Sequence, residues 1–132
     1  MKNLFKNYSK YSSRKKKNIV FLLIIILIAI WICTSRYIAQ RTIFDYIDRQ
    51  GISRNDIVVE DFFRDWTRGG YIYNVSIKDE NPGIYYIYYY DKGKIMFSAS
   101  EMNAQKIKEK IWGGNYLDYS EEQNLKYPPL KE

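Results

Sequence analysis

Fifteen consecutive apolar residues, Ile19 to Cys33, dominate the hydrophobic pattern of the chain. At about 1.5 Å per residue the run covers about 22 Å, short of a hydrocarbon core about 30 Å thick. Continuing the helix through Thr34, Ser35, Arg36, Tyr37 and Ile38 makes up the difference. Trp31 and Tyr37 then fall where aromatic rings anchor at an interface, and Arg36 can snorkel outward. A transmembrane helix is therefore expected over residues 19–38. Beyond it the spacing stays helical, with Ala39, Ile43 and Ile47 at i, i+4 and i+8 and Tyr46 beside them. Arg41, Asp45, Asp48 and Arg49 occupy the rest of the wheel, and Gly51 stands where helices commonly end. No Gly or Pro interrupts residues 19–50, so the amphipathic helix is expected to continue from the spanning one.

After Gly51 the period becomes two. Between Asp56 and Trp66, Ile57, Val59, Asp61 and Phe63 alternate with Val58, Glu60, Phe62 and Arg64. Gly69-Gly70 breaks the run, and Tyr71, Tyr73, Val75 and Ile77 then alternate with Ile72, Asn74, Ser76 and Lys78. Asn81-Pro82-Gly83 is a turn, Ile84–Tyr90 a strand, and Asp91-Lys92-Gly93 a tight hairpin into Lys94–Ser98. Ser98-x-x-Glu101 has the form of a capping box opening a C-terminal helix, with Ala104, Ile107 and Ile111 as its apolar stripe up to Gly113-Gly114. The expected fold class is α+β: a transmembrane helix continuing towards an amphipathic helix, an antiparallel meander of three to four strands, and that C-terminal helix. Residues 1–18 lack an apolar period and read as a disordered basic tail, residues 39–112 as the folded domain, and residues 113–132 as an extended, loosely packed tail.

Charge assigns an orientation. The net charge of +6 is carried by Lys2, Lys6, Lys10, Arg14, Lys15, Lys16 and Lys17, seven basic groups with no acid among residues 1–18. Removing those seven from the 21 basic residues leaves fourteen against fifteen acidic ones. The excess thus flanks one end of the apolar run, which by the positive-inside rule places the N-terminus in the cytoplasm and the domain outside the cell membrane. The lipid bilayer is the first expected partner, through the helix and through basic groups worth about 1 kcal/mol each at an anionic surface. A nucleic-acid partner is not expected, because the folded part lacks a basic stripe. A cleaved signal would need small residues at both recognition positions, which Cys33 and Ser35 supply poorly and the bulky neighbours of Ala29 and Ala39 deny, so a retained anchor is expected. Ile30-Trp31-Ile32 before Cys33 argues against a lipid-modified cysteine, and a single cysteine forms no intramolecular disulfide. No GxxxG pattern falls within residues 19–33 to drive helix pairing.

Candidate chemistry is sparse. The chain has no histidine, which removes Ser-His-Asp and Cys-His catalysis and histidine-bearing zinc sites. Carboxylates remain: Glu60-Asp61, Asp65, Asp79-Glu80 and Glu121-Glu122. Adjacent acids at strand ends and turns read as solvated edge charge, since a hydrolase needs two carboxyls across a cleft. Asp79-x-Asn81-x-Gly83 lacks the ligand run of a calcium loop. No catalytic residue, metal or cofactor is expected. The tyrosines stand out, five of the six residues from Tyr85 to Tyr90. Alternation sends Ile84, Tyr86, Tyr88 and Tyr90 to one face and Tyr85, Ile87 and Tyr89 to the other. The bland account is that tyrosine fits a half-buried pleated surface. The sharper one is that the second face binds a protein or a glycan through Tyr85 and Tyr89. Trp66, beside the glycine corner, either covers the end of the core or joins that surface.

Several words along the chain resemble a known family. Tyr46-Ile47-x-x-Gln50-Gly51-Ile52, Asp56-Ile57, Asp65-Trp66-x-x-Gly69-Gly70-Tyr71, Val75-x-x-Lys78-Asp79 and the tyrosine-rich strand are similar to the domain-of-unknown-function family 3139, over about residues 20–98. The resemblance implies a small single-pass membrane protein of Gram-positive bacteria and carries no activity, cofactor or catalytic residue. In architecture alone the chain also resembles the small PepSY-type domains associated with protease inhibition and envelope regulation. The expectation is a non-catalytic binding or regulatory module acting on an envelope protein or glycan through Tyr85, Tyr89 and Trp66. The alternatives are an immunity-type protein against a secreted toxin or bacteriocin, and an envelope hydrolase using Glu60, Asp61 or Asp65.

Overall fold

The structure, a computed structural model, describes residues 2–131, with side chains from Ser13 onward. It is α+β, and the chain divides into two units, Met1–Tyr37 and Ile38–Glu132. Helix α1, Lys2–Arg49, supplies the described part of the first unit and contributes its last turns to the second. The 3-10 turn Arg54–Asp56 leads into an antiparallel sheet of β1 Ile57–Arg64, β2 Tyr71–Ile77, β3 Ile84–Asp91, β4 Lys94–Glu101 and β5 Asn115–Tyr116, in the order β1-β2-β3-β4-β5. Helix α2, Ala104–Lys108, lies between β4 and β5, and α3, Tyr119–Gln123, follows β5.

In the first unit, the large apolar side chains from Ile19 to Ile32 are 41–66% exposed. Among the described residues none buries this run, and the helix holding it is long and apolar enough to cross a membrane. The backbone is already helical at Lys2, where the basic segment reads as disordered. Helix nucleation is the costly step, so a nucleated apolar helix extends into a polar flank free of Gly and Pro at little further cost.

In the second unit, Ala39, Ile43, Tyr46 and Ile47 are all buried, as their spacing predicts. The helix ends at Gly51 with paired bonds, Gly51 N to Asp48 O at 3.0 Å and Ile52 N to Ile47 O at 3.2 Å. That double closure turns the chain back and buries Ile52 against the helix it has just left. These side chains meet Tyr73, Val75, Tyr86 and Tyr88 from the first face of the sheet. Fully burying a residue such as Ile43 or Ile47 contributes about 2 kcal/mol. Tyrosine serves in place of phenylalanine because each hydroxyl finds a partner. Tyr88 donates to Gln50 Oε1 at 2.7 Å, Tyr86 to Glu80 Oε2 at 2.7 Å, and Tyr73 to the Glu60 carboxylate.

Three expectations are corrected. The register slips between Ile57 and Val59, and this bulge turns Ile57 to the same core face as Phe62, leaving Val58 64% exposed. Ser98 and Glu101 lie within β4, paired with Ile87 and Ile84, so their spacing is no capping box. The N-cap of α2 is Asn103, whose side chain accepts from Gln105 N at 2.8 Å. Of the predicted stripe only Ile107 is buried, since α2 ends at Lys108 and Ile111 is 52% exposed. Residues 113–132 are packed rather than loose. Leu125 is buried, and Tyr127 and Leu130 join the first-face core. Gln50 Nε2 donates to Pro128 O at 3.0 Å, Leu130 N to Tyr46 Oη at 3.0 Å, and Tyr127 N to Tyr86 Oη at 3.2 Å. The apolar positions of this segment are too sparse to announce a core, but together they close the end of one.

Candidate functional site

The alternation of β3 places Tyr85, Ile87 and Tyr89 opposite the α1 face, as predicted. That second face is partly roofed. Tyr85 is 3% exposed, a correction to its reading as solvent-facing: the chain after α2 folds back over it. The Tyr85 hydroxyl donates to Gly113 O at 2.8 Å and accepts from Gly113 N at 3.1 Å, and its ring centre lies 4.9 Å from that of Trp112. Trp112 is tied in turn by its indole N–H, which donates to Asp61 Oδ2 at 2.7 Å. Gly114 lets this segment lie against β4, because a side chain there would strike the Glu101 carbonyl and Met102. No alternating pattern of β3 could announce this cover, which arrives from 27 residues further along the chain.

At the other end stands the β1–β2 turn. Asp65 Oδ1 accepts from the backbone N–H groups of Thr67 at 2.9 Å and Arg68 at 3.0 Å, and Oδ2 accepts from Arg68 Nε at 2.9 Å. The Arg68 backbone N–H and then its guanidinium hold the Asp65 carboxyl below the usual range. Gly70, at a φ of +76°, packs so closely on the Tyr90 carbonyl that any side chain would collide with it. The word Asp-Trp-x-x-Gly-Gly-Tyr is therefore the recipe of this turn. Its product is a placed guanidinium, 4.9 Å from the centre of the Tyr89 ring. Tyr89 itself is half-buried and donates to Gly69 O at 2.9 Å. Trp66 is 83% exposed and sits under Arg64, 4.9 Å from its ring centre. It does not cover the core, and it does not line the groove described next.

Between the turn and the Trp112 cover runs a groove of about 500 Å³, a size usual for ligand clefts. Phe63, Ile72, Tyr89 and Met96, one row across the four long strands, line it on the side of the turn together with Arg68, and Trp112 lines the other end. Its floor includes Ile87, Ser98 and Asn74. The carboxamide of Asn74, 3% exposed, is the odd group: among the described residues nothing donates to its Oδ1. An unpaired buried amide of this kind costs about 1–3 kcal/mol. The Tyr71 hydroxyl shares this condition, but it belongs to the opposite face, stacked on Phe62. Neither Asn74 nor Arg68 stands out in sequence, where Asn74 reads as one more outward polar residue of β2.

The candidate carboxylates do not converge. Glu60 accepts from Tyr73 on the first face, Asp61 from Trp112 on the second, and Asp65 holds its own turn.

The model of the family described as "Protein of unknown function (DUF3139)" matches residues 14–88. An "Uncharacterized 13.4 kDa protein" of Bacillus thuringiensis is 40% identical over 107 residues, 81% of this chain and 94% of that protein. No solved structure matches.

Proposed function

The chain belongs to the DUF3139 family, and from that premise we propose that it is a single-pass membrane protein whose second unit is a non-catalytic binding module of the bacterial envelope. Seven basic residues precede the apolar run, which supports an N-terminus in the cytoplasm and a domain outside. The exposed apolar flank of α1 supports a retained anchor. The observation that carries the binding reading is the groove on the second sheet face, with the unpaired Asn74 carboxamide in its floor. A sheet holding only itself together gains nothing from a buried amide without a partner, whereas a ligand that supplies the hydrogen bond recovers its cost. Tyr89 remains part of this surface. Tyr85 supports it from below, and Trp66 lies outside it.

The test is a photo-crosslinking residue at Met96, which is 57% exposed and borders the groove, compared with one at Lys92 in the β3–β4 turn. Capture of a discrete envelope component from intact cells at position 96 and not at 92 is expected. Equal capture at both, or none at either with the protein folded in the membrane, removes the groove from the function.

A further inference from the structure

The groove presents three unused recognition elements in a row, and together they describe a ligand. Asp65 engages Arg68 through Nε, and among the described residues no hydrogen bond occupies the two terminal nitrogens of the guanidinium. The group is therefore oriented and still free to grip at its fork, the arrangement that recognises a carboxylate in bidentate fashion. Tyr89, under Arg68, pairs with Ile72, and Asn74 lies two positions further along β2. That is about 7 Å along the sheet, the span of two residues of extended chain. An amide both donates and accepts, so its natural complement is a peptide group. Phe63 and Ile72, paired across β1 and β2 in the next row of the sheet, form an apolar flank beside it.

We propose that the groove holds the C-terminal end of a peptide, with the terminal carboxylate on the Arg68 fork, a peptide group on Asn74, and an apolar side chain against Phe63 and Ile72. This rests on the groove being the working surface, and it adds what the surface reads. A fatty acid satisfies the fork and the flank but leaves Asn74 unpaired. A neutral glycan satisfies Asn74 but makes no charged use of the fork.

The experiment uses the full chain in detergent micelles, labelled with 5-fluorotryptophan, the Trp112 signal being assigned with Trp112→Phe. The probes are acetyl-Ala-Leu-Phe with a free carboxylate, the same peptide as its amide, diacetylchitobiose, and octanoate. The free acid is expected to move the Trp112 signal saturably and to bind at least about tenfold tighter than the amide, the usual worth of a charge-assisted pair. Arg68→Lys should retain binding and lose most of that discrimination. Asn74→Ala should weaken acid and amide alike while far-ultraviolet circular dichroism and the urea midpoint report an unchanged fold. Equal binding of acid and amide overturns the carboxylate assignment and leaves the groove as a binding site. A shift caused by the disaccharide alone, or by octanoate as strongly as by the peptide acid, overturns the peptide assignment in the same way. If no probe moves Trp112 the peptide inference falls, and capture at position 96 decides separately whether the groove works at all.

Discussion

At the scale of single residues, the tyrosines do two jobs that composition does not separate. Tyr73, Tyr86 and Tyr88 are core residues with satisfied hydroxyls. Burial, and then the Glu60 and Glu80 carboxylates beside the first two, push their phenols well above the ordinary value. Each folded value exceeds the value near 10 of the unfolded chain, so unfolding above pH 10 releases protons. Their contribution is therefore whole below pH 10 and declines as pH rises beyond it. The slope is about 1.4 kcal/mol per pH unit for each phenol, up to about 4 kcal/mol per unit for the three. Urea midpoints of the full chain in micelles should fall steeply between pH 10 and 11 and stay nearly level between pH 8 and 9. Tyr85 belongs to the second job, holding the cover of the groove through Gly113. Tyr85→Phe removes both bonds and should cost about 1–2 kcal/mol by urea unfolding, with Trp112 emission moving to the red. That residues 85 and 89 share a face was legible from alternation. That one is covered and the other half-open was not, because Trp112 and Gly113 bear no local relation to either.

At the scale of elements, the helix is the most legible part and the C-terminal segment the least. Ile43 and Ile47 announce their burial at four-residue spacing, and Ile47→Ala should cost about 2–4 kcal/mol, measured by chemical unfolding. The meander was readable from its turns: Asn81-Pro82-Gly83 falls between β2 and β3, and Lys92-Gly93, with Asp91 closing β3, between β3 and β4. The bulge in β1 was not, because a run of Ile57-Val58-Val59 is equally apolar in either register. Residues 113–132 form β5, α3 and the contacts of Leu125, Tyr127 and Leu130. A chain ending after Trp112 loses the bonds that Pro128, Leu130 and Tyr127 make with Gln50, Tyr46 and Tyr86. It should unfold at markedly lower urea than the full chain and expose Tyr88 and Tyr86 to solvent, readable by their near-ultraviolet circular dichroism.

At the scale of the whole molecule, the sequence by itself determined the long apolar helix, its charge flag and the order of elements. These follow from properties that neighbouring residues share: fifteen apolar side chains in a row, seven basic ones before them, and periods of 3.6 and 2 after them. The orientation proposed from them has a direct check. In a Cys33→Ala background, a membrane-impermeant maleimide should label Lys92→Cys in intact cells and Lys16→Cys only after lysis; the reverse pattern overturns it. The tertiary structure alone decided which side of the sheet stays open. Covering Tyr85 required Trp112 to reach Asp61 across 51 positions, and placing Arg68 over Tyr89 required a turn built on Asp65. The unpaired state of Asn74 depends on the Asp61 and Ile87 that β1 and β3 set on either side of it. Contacts between distant residues leave no periodic trace, because each partner is chosen by the fold and not by its neighbours in the chain. The sequence therefore announced a tyrosine face, and the fold selected the groove within it.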